Sequence, residues 1–171
     1  MRNGGVICRF FASVLACCCV LAGPARAMDA PTGPVILTIS GKIGEKNAAA
    51  AARFDLAMLE KLPQQTFTTR TPWHTKPVTF QGPLLRDVLA AVKARGATLK
   101  ALALNDYQTT IPLEDASQFD VIIAHHMDGE TIPVRTKGPL FIVYPFDSSE
   151  SLRASLYYER SAWQLKSLVV E

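Results

Sequence analysis

The chain has 171 residues, 49% of them hydrophobic and 19% charged, with a formal net charge of +3. That length fits one domain with a sizeable core. So small a positive excess, which falls to zero once the signal expected over 1–27 is removed, leaves no basic excess to hold nucleic acid or an anionic membrane.

The first residues carry Arg2 and Arg9 and no acid, then thirteen uncharged residues, Phe10 to Ala22. Gly23 and Pro24 interrupt this run, and Ala25-Arg26-Ala27 follows as a small-x-small cleavage pattern. A charged start, a short apolar core and an A-x-A end predict a secretory signal over 1–27. The apolar run falls short of the roughly 20 residues a membrane span needs. A lipoprotein signal with Val14-Leu15-Ala16-Cys17 as its lipid box is the other reading, although apolar residues continue past Cys17. Cleavage before Met28 removes all four cysteines, Cys8, Cys17, Cys18 and Cys19. It also removes Arg2, Arg9 and Arg26, so Lys plus Arg falls from 18 to 15 against 15 Asp plus Glu, a net charge of zero. The mature chain is then a periplasmic or secreted protein with no membrane span, no disulfide and no thiolate.

Residues 28–34 read as a flexible lead-in to a single domain over 35–171. Val35 to Ile39 is β-branched and apolar and reads as a strand closed by Ser40 and Gly41. Ala48 to Leu62 reads as a helix, with Phe54, Met58, Leu59 and Leu62 on one face and Pro63 as its stop. Thr66 to Arg70 and Val78 to Phe80 read as strands. Pro83 to Ala94 is the clearest helix, with Leu84, Leu85, Val88, Leu89 and Val92 as its buried stripe and Gly96 beyond its end. Leu99 to Leu104 and Gln108 to Ile111 read as strands around an Asn-Asp turn. Val121 to Met127 is a strand ending in the hairpin signal Asp128-Gly129. Leu140 to Tyr144 is another, Ser151 to Tyr158 holds one or two helical turns, and Trp163 to Val170 alternates as the last strand. Few helices among many short strands predict an α+β fold with a mixed or mainly antiparallel sheet.

Several local patterns, in order, resemble the oxidoreductase molybdopterin-binding domain, the sulfite oxidase fold. They are Leu59-x-x-Leu62-Pro63; Thr68-Thr69-Arg70-Thr71-Pro72-Trp73; Phe80-x-Gly82-x-x-Leu85-x-x-Val88-Leu89; Asn105-Asp106-Tyr107 with Ile111-Pro112; Ala124 to Pro133; Gly138-Pro139-Leu140 with Pro145; and Leu165 to Val169. The resemblance covers Phe54 to Leu168 and extends to sulfite oxidases and the periplasmic methionine sulfoxide reductase catalytic subunit. It implies a cysteine ligand to molybdenum four residues before a tryptophan. Here Trp73 fits the tryptophan and Thr69 stands at the ligand position. A threonine hydroxyl is a poor ligand where a soft thiolate is needed. After Pro145, where the resemblance implies a basic grip on the pterin phosphate, stand Phe146-Asp147-Ser148-Ser149-Glu150. Two acids there would repel a phosphate, with Arg153 and Arg160 further on as partial compensation.

The candidate cleft residues are Thr69, Arg70, Trp73, His74, Asp106, Tyr107 and His126. Arg70 would supply positive charge beside a wall made by Trp73 and His74. Adjacent strand residues point to opposite faces, so His125 and His126 do not ligate one ion; one packs inward and the other faces the cleft. No nucleophile elbow, phosphate loop or metal-spaced cluster accompanies them. The expectation is a periplasmic module without a cofactor that binds a small molecule or a protein partner, with no catalytic residue and no metal. The alternative is a molybdopterin-dependent oxidoreductase acting on sulfite- or sulfoxide-type substrates. A secreted interaction protein would instead fill the cleft with side chains.

Overall fold

A computed structural model describes Met1 and residues 28–171, so the expected secretion signal lies, but for its first residue, outside the described residues. Among the described residues eleven strands form three sheets, with four short α-helices between them. The largest has the order β2-β1-β11-β5-β6, from Ala51–Phe54, Leu37–Gly41, Leu165–Val170, Thr98–Ala103 and Gln108–Pro112. Within it β1 and β11 run parallel and every other pair antiparallel. A second sheet has the order β3-β4-β8-β9, from Gln64–Thr69, Val78–Pro83, His126–Met127 and Glu130–Thr131. Strands β7 (Ile122–Ala124) and β10 (Phe141–Val143) pair with each other, buried at every position. The architecture is the expected α+β fold with mainly antiparallel sheets. No helix among the described residues is long and apolar enough to cross a membrane.

The helix expected over Ala48 to Leu62 is confined to α1, Leu56–Glu60, while Ala51–Phe54 is strand β2. Ala52 and Phe54 are buried in alternation and pair with Ile39 and Leu37, so the period is two before Asp55 and helical after it. Asp55 marks the change: its carboxylate accepts from Met58 N at 2.9 Å as an N-cap. The same carboxylate accepts from Thr32 N and Gly33 N, both at 2.7 Å. Asn47 Nδ2 donates to Asp29 O at 2.7 Å. The lead-in over 28–34, expected to be flexible, is therefore held to the domain at two points.

Helix α2 spans Leu85–Ala91 rather than starting at Pro83. Pro83 is the last residue of β4, paired with Gln64, and Leu84 bridges Ile122 before the helix begins. The strand expected as one piece over Val121 to Met127 breaks at His125. There the chain changes partner: β7 pairs with β10, β8 with β4 and β9. Gly82 makes this junction possible, because a Cβ at that position would stand 2.1 Å from Ile123 O. The Asp128-Gly129 turn follows as expected, with φ of 52° and 85°. In β11 the alternation from Trp163 is broken by a register shift between Leu165 and Ser167. Its buried residues are therefore Leu165, Leu168 and Val170.

Near the C-terminal end a 3₁₀ turn, Glu150–Arg153, leads into α4, Ser155–Arg160. A buried polar knot ties α4 down. Asp115, in α3 (Asp115–Gln118), accepts from Tyr144 Oη at 2.6 Å and from Arg160 Nη1 at 2.9 Å. Tyr144 is fully buried, and burial with the bond to Asp115 pushes its phenol pKa far up.

Candidate functional site

The loop between β3 and β4 turns on Thr71, which is buried. Its hydroxyl accepts from Trp73 N at 3.3 Å and lies 2.8 Å from His74 Nδ1. Accepting from one neighbour leaves its own proton for the other, which suits a neutral imidazole. Burial, with a smaller contribution from Lys137, holds the His74 pKa below the ordinary histidine value. This turn places Trp73 among aromatic rings. Its centroid lies 5.4 Å from Trp163, 5.5 Å from Phe141, 6.0 Å from Tyr158 and 6.2 Å from Phe146. These pairs are tilted or edge-to-face, the arrangement that ring quadrupoles favour.

Beside Trp73 opens a cavity of about 290 Å³, lined further by Asn105, Tyr107, Ser155, Tyr158, Glu159, Ser161 and Trp163. Three separate parts of the fold supply it: the β3–β4 loop, the β5–β6 turn, and α4 with the segment leading into the last strand. Tyr107 is fixed at both ends, its amide bonded to Asn105 Oδ1 at 3.1 Å and its hydroxyl donating to Glu159 O at 2.7 Å. That second bond joins the β5–β6 turn to α4 beside the cavity. Lys137 Nζ lies 4.1 Å from the Trp163 ring centroid and 5.6 Å from that of Trp73. Burial lowers the Lys137 pKa.

Of the seven residues singled out from the sequence, Trp73 and Tyr107 meet at this cavity. His74 lies next door, in a shallower depression with Trp73, Lys76 and Asp128. Asp106 points elsewhere: its backbone is left-handed at φ 63° and its carboxylate lies 3.4 Å from Lys166 Nζ. His126 is remote from the cavity and contacts His125 instead, Nδ1 to Nδ1 at 2.5 Å. The two histidines were expected on opposite faces. They converge because His125 sits in the break between β7 and β8, where the alternation lapses. His125 packs inward, 2.8 Å from Gln64 Oε1. Its pKa is lowered chiefly by burial and then by the neighbouring His126. Among the described residues no group of three or more His, Cys, Asp or Glu is placed to hold a metal ion.

Thr69 and Arg70 belong to a third cluster. Thr69 is 1% exposed, and its hydroxyl accepts from Asp147 N at 3.0 Å. Arg70 N donates to Asp147 Oδ2 at 2.8 Å. The guanidinium groups of Arg70 and Arg153 approach Asp147 Oδ1 at 3.6 and 3.2 Å. Arg160, weighed from the sequence as a compensating charge, is committed to Asp115.

A family model, the oxidoreductase molybdopterin binding domain, matches residues 37–147, well over half of the chain. The chain belongs to this family. Among solved structures, the sulfane dehydrogenase SoxCD from Paracoccus pantotrophus superposes with a TM-score of 0.59 at 17% identity. The match covers 78% of this chain and 37% of that one, so the chain spans little more than a third of that protein's length. At that identity the likeness carries the fold. No curated protein matches the chain.

The resemblance read from the sequence places Thr69 where a thiolate donor to the family's cofactor is expected and Asp147 where a grip on its phosphate is expected. The Thr69 hydroxyl is buried and already bonded to the backbone of Asp147. Arg70 and Arg153 face the Asp147 carboxylate, which meets their charge from within the chain. Tyr158 and Trp163, the other two aromatic residues of the cavity wall, were not among the residues chosen from motifs. Their signal was density: Phe141, Tyr144, Phe146, Tyr157, Tyr158 and Trp163 fall within one short stretch.

Proposed function

We propose that this member of the molybdopterin-binding domain family works without its family's cofactor, as an exported module that binds a small molecule in the aromatic cavity. The observation that carries the reading is the cavity itself, about 290 Å³ walled by Trp73, Tyr107, Tyr158 and Trp163. An interaction protein without a ligand would have closed such a space with side chains, since interiors pack to high density. Concave sites with aromatic walls and a few placed polar groups are the usual form of small-molecule pockets. The committed state of Thr69 and Asp147 supports the absence of a cofactor. The signal-like pattern over 1–27 supports export.

The test uses the chain's only two tryptophans, Trp73 and Trp163, both on the cavity wall. A panel of small amines, carboxylates, sugars and heterocycles is titrated while tryptophan emission and Tm are followed. At least one class should give a saturable change that Tyr107→Ala weakens. No saturable change across the panel counts against a small ligand.

A further inference from the structure

The cavity's charge and shape narrow the ligand class, on the reading that it binds a small molecule. Its walls are mostly apolar ring surface, and the residue among them that carries a charge is Glu159. Glu159 has no ion-pair partner among the described residues. The neighbouring acids do: Asp106 pairs with Lys166, and Asp115 with Arg160.

The rings do not form a slot. Trp163 and Tyr158 stand at 81° and 75° to Trp73. Parallel walls suit a flat heterocycle, which stacks between them. Walls near right angles leave a rounded rather than a flat space beside the rings. A cation there is attracted by the quadrupole of each ring that shows it a face, and an alkylated ammonium gives up little hydration on entering. At about 290 Å³ the space lies at the small end for ligand pockets, suited to a head group more than to an extended molecule. The same two indoles already hold one ammonium, that of Lys137, which is not among the lining residues.

We propose that the cavity is an aromatic cage for a quaternary or methylated ammonium group, with Trp73, Trp163 and Tyr158 as its walls and Glu159 as the counter-charge at its rim. Lys137 acts against the ligand, because its charge lies close to the same rings. It sets an upper limit on affinity that a neutral side chain of similar length would lift.

The experiment titrates the full mature chain with tetramethylammonium, with choline, and with 3,3-dimethylbutan-1-ol, the neutral isostere of choline, following tryptophan emission. Choline and tetramethylammonium should bind saturably, and the isostere about tenfold or more weaker, the discrimination expected of a partly desolvated cation–π site. Glu159→Gln, an exposed change that leaves the core alone, should weaken choline several-fold and leave the isostere unmoved. Lys137→Met should tighten choline. Equal binding of choline and its isostere would overturn the cage while leaving a small-molecule pocket standing. No response to any of the three would overturn the cage as well, and the wider panel would then decide separately whether the cavity binds anything.

Discussion

At the scale of single residues, the proposal of a module without a cofactor rests on Thr69 and Asp147. From the sequence, Thr69 was expected where the family's thiolate ligand would stand. In the fold it is a buried hydroxyl that accepts from Asp147 N, and Asp147 in turn engages Arg70 and Arg153. Restoring a thiol is therefore not enough. Thr69→Cys, made in a host that supplies molybdenum cofactor, should still emerge without stoichiometric molybdenum by elemental analysis, because the Asp147 carboxylate still meets the two arginines. A loaded Thr69→Cys protein would show that Asp147 is no obstacle. Asp115 carries stability. Asp115→Ala leaves Arg160 and Tyr144 unsatisfied in a buried setting and should cost about 3–5 kcal/mol in urea unfolding. Tyr144→Phe removes one bond to a charged acceptor and should cost about 1.5–3 kcal/mol in the same assay.

At the scale of elements, the sequence was readable wherever one periodicity ran unbroken. The β5–β6 pair around Asn105-Asp106 and the Asp128-Gly129 hairpin lie where pattern and turn chemistry agree. The misreadings fall where the chain changes partner or period. Ala51–Phe54 was absorbed into a helix because alanine-rich sequence with apolar three- and four-residue spacing looks helical, and pairing with β1 overrode that preference. The break at His125 was invisible because no local residue type announces a strand that switches sheets. That break has a consequence for pH. Burial lowers the folded-state pKa of His125, so its neutral form is favoured in the native protein. Its contribution to stability is whole above the unfolded histidine value of about 6.5 and declines as pH falls below it. Burial moves His74 in the same direction. Tm should therefore be lower at pH 5 than at pH 7.5, and His125→Gln should flatten the difference. A second loss belongs to the N-cap of α1. Backbone bonds from Gly33 and Met58 hold the Asp55 pKa below its ordinary value. Its contribution is present above the unfolded value of about 3.9 and fades as pH drops through the lower folded one. Asp55→Asn should remove that acid limb from the same Tm profile.

At the scale of the molecule, family and function separate. The family was legible because its patterns are spread along the chain in order, and residues 37–147 match its model. The whole of the cavity wall was not, because Tyr158 and Trp163, which were not chosen, come from segments that only the fold brings beside Trp73 and Tyr107. Of the residues chosen from motifs, Thr69 and Arg70 went to a cluster around Asp147, and His126 went to a pair with His125. The expected signal over 1–27 bears on the whole molecule too, since its removal takes every cysteine with it. The proposal of a cofactor scaffold turned to binding rests on the expected loss of the cysteines, the engagement of Asp147 and the open aromatic cavity. The direct measurement is the molybdenum and pterin content of the mature protein, purified under non-denaturing conditions from a host that makes the cofactor. The account predicts both far below one per chain, with the aromatic cavity still accepting its ligand. One molybdenum and one pterin per chain would contradict it.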